Sequence, residues 1–149
     1  MPFAAFGTGC VVAGGLVAAV TAPAPSTHAS WAAAYLVLVA GAAQVGLGFG
    51  QAVLAPRAPS GRRVAAQVGA WNVGNAAVLA GTLTDVLPLV DLGGALLVIG
   101  LALLVHTVRG DLRRGPRSRR WALYGFRLLA LVLLVSIPIG LILARIGPA

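Results

Sequence analysis

The placement of arginine constrains this chain more than any other feature. All 11 of its Lys-or-Arg residues are arginine, and nine of them sit in two short segments flanked by long apolar stretches. An apolar run of about 20 residues, wound as a helix, crosses the ~30 Å hydrocarbon core of a bilayer. Composition points the same way. Charged residues make up 9% of the chain, against roughly 25% in an ordinary soluble domain. Hydrophobic residues make up 59% and the mean hydropathy is +0.95. So few charges cannot cover a water-facing surface, and lipid must solvate most side chains. The expected fold class is all-α: a polytopic integral membrane helical bundle of about five transmembrane helices, in one domain over residues 1–149, with its N-terminus in the cytoplasm.

The expected spans are Phe3–Val20, Trp31–Leu54, Val64–Leu83, Leu89–Val108 and Trp121–Ile146. Pro23 and Pro25 mark the first loop, because proline lacks an amide donor. Pro88 marks a tight turn after Thr84 and Asp85, and Pro138 is expected to kink the last helix. The first span is glycine-rich (Gly7, Gly9, Gly14, Gly15), which favours close packing on a neighbour. Thr27-His28-Ala29 before Ser30 has the look of a signal-peptide cleavage site, yet no basic residue precedes the apolar run. A retained helix is therefore the reading adopted. The single cysteine, Cys10, allows no internal disulfide and is read as a packing residue.

Orientation follows from counting. The segments 56–63 and 109–120 carry nine arginines on one side, while only Arg145 lies near the other. The positive-inside rule puts the basic segments in the cytoplasm. Arginine without lysine, amid abundant Ala, Gly, Val and Leu, reads as a GC-rich bacterial genome and so as a bacterial cytoplasmic (inner) membrane. The expected partners are the bilayer, anionic lipid head groups at the basic loops, and other membrane subunits or further copies of the chain. Nucleic acid is not expected, since the charge of +8 is accounted for by topology.

Polar groups inside lipid are costly and each calls for a reason. Gln44 and Gln51 are seven residues apart, nearly one face of a helix, and Gln67, Trp71 and Asn75 form a stripe of period four with Asn72 beside it. The candidate polar stripe, Gln44, Gln51, Gln67, Asn72 and Asn75, can form an amide ladder between the second and third spans. The bland reading is structural glue; the sharper one is a path for a small polar solute.

Ionisable groups gather at the two rims. His28, Asp85, Asp91 and Arg145 form a candidate outer cluster, with ion pairing to Arg145 favoured over metal binding because the spacing matches no metal motif. His106, Tyr124 and Arg127 form a candidate cytoplasmic vestibule. With only two histidines, expected on opposite faces, bis-histidine ligation of one haem is not supported. No cofactor and no metal are expected. The chain contains no Glu, and no carboxylate is expected at mid-membrane, against a carboxylate-driven antiporter. No catalytic triad or phosphate loop is evident. The favoured function is a non-enzymatic accessory, assembly or scaffold subunit of a membrane complex. A small transporter or channel along the amide stripe is the alternative. A membrane enzyme acting on a lipid or quinone head group at the cytoplasmic rim is the third reading.

Overall fold

The structure, a computed structural model, describes residues 2–108 and 117–146. The fold is all-α, with no strand among the described residues. Helices α1 (Pro2–Thr21) and α2 (Thr27–Tyr35) come first. A π-helical stretch, Leu36–Ala43, carries α2 directly into α3 (Gln44–Leu54), making one rod of 28 residues. Then follow α4 (Gly61–Leu83), α5 (Leu87–Thr107) and α6 (Arg117–Ile146). Four of the five rods are long and apolar enough to cross a membrane: Pro2–Thr21, Thr27–Leu54, Leu87–Thr107 and Arg117–Ile142. The fifth, α4, has the length, 23 residues, but its central amides and leading arginines keep its hydropathy lower. These properties define a multi-pass helical membrane protein.

Helix starts differ from expectation at several points, and α4 begins at Gly61, so Arg62 and Arg63, expected in a loop, are helical. α2 begins at Thr27 because Ser26, in an extended conformation, accepts a hydrogen bond from the Ala29 amide at 3.2 Å. His28 is therefore in the first helical turn instead of in a loop. α6 begins at Arg117, so Arg117, Arg119 and Arg120 are helical, ahead of the expected start at Trp121. The expected loop arginines Arg109, Arg113 and Arg114 lie outside the described residues.

The chain divides into two compact units, residues 1–48 and 49–149. In the first, α1 packs along the second rod through glycines. A Cβ on Gly7 would come 2.9 Å from the Gly41 carbonyl oxygen, and one on Gly14 would come 2.8 Å from that of Ala33. Gly41 faces back at Gly7 and Val11. Such contacts bring two backbones together, which lipid does nothing to oppose and dispersion rewards.

In the second unit α4 and α5 form the most extensive pairing, an antiparallel hairpin. The turn between them is set by Asp85, whose φ of 55° places it in the left-handed region. The Val86 amide donates to the Gly81 carbonyl at 2.9 Å, and the Thr84 amide donates to Ala80 at 3.0 Å. This is a Schellman closure, and an aspartate tolerates it better than a branched residue would. Pro88 then sits in the first turn of α5, where its missing N–H costs nothing. Along the hairpin Gly74 and Gly93 meet backbone to backbone: a Cβ on Gly93 would be 2.7 Å from the Gly74 oxygen. α6 packs on α5, where Gly94 receives Leu141, and Gly50 at the end of α3 receives the Phe126 ring.

Candidate functional site

The polar residues of the second unit build one connected network. Gln51, on the last turns of α3, donates from Nε2 to Oε1 of Gln67 on α4 at 2.9 Å. Gln67 in turn donates from its own Nε2 to the Leu103 carbonyl on α5 at 3.1 Å and to Oγ1 of Thr107 at 3.0 Å. The Thr107 hydroxyl donates to the same Leu103 carbonyl at 2.8 Å. Gln67 is fully buried, and Gln51 and Thr107 nearly so. The network therefore ties three helices together with donors and acceptors matched in sequence, and in a low-dielectric interior each such bond is electrostatically strong.

Thr107 is the member that spacing arithmetic on polar residues alone overlooks. Its signal lies in the small residues: Gly93, Gly100 and Thr107 are spaced by seven on α5, as Gln67, Gly74 and Gly81 are on α4. All six are buried. The two stripes run antiparallel, and this sets Gln67 against Thr107. His106 is one position, about 100°, off that face. It is exposed, and lines a surface recess with Arg57 and Arg63. Tyr124 and Arg127 are exposed on α6, where the Tyr124 ring meets the edge of Trp121 at a centroid distance of 6.3 Å. Gln67 thus draws its α5 partners from Leu103 and Thr107, and the vestibule trio contributes none of them.

The remaining stripe residues behave differently. Asn72 and Asn75 turn their amide nitrogens onto their own helix, donating to the Val68 and Trp71 carbonyls at 2.8 Å each. This bonding to the preceding turn leaves Oδ1 of Asn75 buried without a partner among the described residues, and the same holds for Nε1 of Trp71. Gln44, in the first unit, is fully buried with neither amide atom bonded among the described residues. It directly follows the π-helical stretch, whose i→i+5 pattern is rare and interrupts the regular ladder. Gln44 and Asn75 line neither the recess at Arg57 and Arg63 nor the one between α1 and α2 at Gly14 and Ala33.

At the opposite end of the second unit, Arg145 on α6 donates from Nη2 to both carboxylate oxygens of Asp91 on α5 at 2.8 Å. Both side chains are about half exposed, so water screens this pair. Asp85 closes the α4–α5 turn, and His28 lies in the first turn of α2 in the first unit. No group of three or more His, Cys, Asp or Glu capable of holding a metal is found among the described residues.

The arginine-bearing end has its own structure. Arg119 donates from Nη2 to the Leu54 carbonyl at 3.2 Å, capping the end of α3 from α6. Together with the Gln67–Thr107 bond, this puts the 55–60 turn, the end of α5 and the start of α6 on one side of the unit. No protein-family model matches the chain, and no match is found among curated proteins or solved structures.

Proposed function

We propose that this protein is a non-enzymatic accessory or scaffold component of a membrane assembly. The observation that carries the reading is the closed Gln51–Gln67–Thr107–Leu103 network. Its groups use their hydrogen-bonding capacity on one another, which supports a role in holding helices in register. The glycine-to-backbone contacts of both units have the same effect. Large apolar side chains along α6, among them Leu128, Val132, Val135 and Ile139, are exposed and available to lipid or to neighbouring helices. In this reading all five rods cross a bacterial cytoplasmic membrane, α4 included, because its buried Gln67 is partnered on both amide atoms inside the protein. The basic ends then face the cytoplasm.

The test is purification in mild detergent with mass analysis of the intact complex. The expected result is a stoichiometric complex with another membrane subunit, lost when α6 is given bulky polar substitutions such as Val132→Gln and Val135→Gln. A lone monomer whose native-membrane activity partners are unaffected by deletion of the chain would end the reading.

One observation favours a second reading, a small transporter or channel. Trp71 and Asn75, both in the second unit, each hold a buried polar atom with no partner among the described residues, which suits a polar solute in transit. Solute flux in reconstituted vesicles that disappears in Asn75→Leu supports transport; unchanged flux excludes it.

A further inference from the structure

We propose that the recess at the arginine-bearing end of the second unit is a binding site for a phosphate-bearing anion. The recess has a volume of about 610 Å³ and is lined by Arg57, Ser60 and Arg63 on one side and by His106 and Thr107 on the other. The first group comes from the turn leading into α4 and its first helical turn; the second comes from the last turn of α5. Two arginines and a histidine thus line one hollow, drawn from the 55–60 turn, the start of α4 and the end of α5. A guanidinium presents a planar fork of donors that matches tetrahedral phosphate better than a single ammonium does.

Charge balance argues for an anion. Among the described residues no carboxylate lines the recess, and Arg57, Arg63 and His106 form no ion pair. Of the chain's three carboxylates, Asp85 and Asp91 lie at the other end of the α4–α5 hairpin and Asp111 lies outside the described residues. The first turn of α4 carries no acid, and the Ser60 side chain makes no capping hydrogen bond. Two arginines therefore sit at the positive end of a helix dipole, a like-signed arrangement that an anion in the hollow relieves. Thr107 couples the site to the interior. It lines the recess, and its hydroxyl is the terminal member of the Gln51–Gln67 network. If α4 and α5 cross the bilayer, as in the function proposed above, a recess at their ends falls at the level of the lipid phosphates.

The phosphate can come from the head group of an anionic lipid or from a free phosphate anion, and the experiment separates the two. The full-length protein, delipidated in mild detergent, is titrated calorimetrically with short-chain phosphatidylglycerol and, separately, with inorganic phosphate. Arg63→Gln and Arg57→Gln are expected to weaken binding about tenfold each, the loss of one charge-assisted contact. Arg62→Gln removes the same charge from the neighbouring position, which does not line the recess. It is expected to change affinity by less than about twofold, because an exposed charge off the site acts only through a screened field. Saturable binding of the lipid alone, with this pattern, identifies a head-group site; binding of inorganic phosphate with the same pattern identifies a free-anion site. Equal losses in Arg62→Gln and Arg63→Gln would reduce the effect to diffuse charge and overturn the proposal, as would an absence of saturable binding by either probe. His106→Gln serves as a second variant that leaves α4 untouched, and it is expected to weaken binding in the same direction as Arg63→Gln.

Discussion

Gln67 sits between Gln51 and Thr107, accepting from the first at 2.9 Å and donating to the second at 3.0 Å. One amide thereby joins α3, α4 and α5. Because an amide carries a donor and an acceptor on adjacent atoms, a single side chain can bridge two neighbours in opposite senses. Loss of this residue is expected to cost more than loss of either neighbour.

Gln67→Leu strands the Gln51 amide and removes the donor to the Thr107 hydroxyl, which keeps its own bond to the Leu103 carbonyl. The expected cost is about 1–3 kcal/mol of unfolding free energy, against about 0.6 kcal/mol for an average interhelical bond in a membrane protein. Reversible unfolding in mixed micelles reads it. A double-mutant cycle between Gln51→Leu and Gln67→Leu should give a coupling of the same order; a coupling of zero would show that the two amides do not stabilise each other.

Thr107→Val keeps shape and removes the hydroxyl. It is expected to destabilise by about 1 kcal/mol, whereas Thr107→Ser, which restores the oxygen, recovers most of that. His106→Ala, one residue away on an exposed face, should leave stability unchanged. Equal effects at 106 and 107 would contradict the helix rotation described above.

The glycines of the α4–α5 hairpin separate sharply by position. A Cβ at Gly93 would lie 2.7 Å from backbone atoms of Gly74 and Val78, so Gly93→Ala must push the helices apart. A loss of about 1–3 kcal/mol is expected from such overpacking. Among the described residues no neighbouring atom lies within 4 Å of a Cβ placed on Gly69, and Gly69→Ala should be neutral or stabilise by up to about 1 kcal/mol through helix propensity. Thermal unfolding of the two variants side by side checks the contrast.

Asp85 holds a left-handed conformation at the α4–α5 turn. Asp85→Gly should be tolerated or stabilising, and Asp85→Val should lose about 1–2 kcal/mol, the steric cost of a Cβ-branched residue there. If Asp85 instead served mainly as a charge, Asp85→Gly and Asp85→Val would be equally harmful.

The half-exposed Arg145–Asp91 pair is expected to contribute no more than about 1 kcal/mol, and less at high salt. Arg145→Ala and Asp91→Ala measured at low and high ionic strength, with the double variant, give that contribution directly. A salt-independent coupling well above that bound would mean that the pair is shielded from water.

The residue order alone determined that the chain is helical and apolar, because a backbone in hydrocarbon has to close its hydrogen bonds within its own segment. It also determined where the rods run to within a few residues, since Pro23, Pro25, Pro88 and the arginine clusters interrupt the apolar runs at points that no packing can override. The pairing of Asp91 with Arg145 was among the possibilities that sequence spacing raised. The tertiary structure decided what a linear pattern leaves open. A step of one residue turns a side chain by about 100°, so whether His106 or Thr107 meets Gln67 depends on how α5 is rotated against α4. That rotation is set by Gly74, Gly81, Gly93 and Gly100, where the two backbones touch. The same packing left Asn75 bonded to its own helix instead of to an amide partner, and brought His106 to the recess of Arg57 and Arg63 although more than 40 positions separate it from either arginine in the chain.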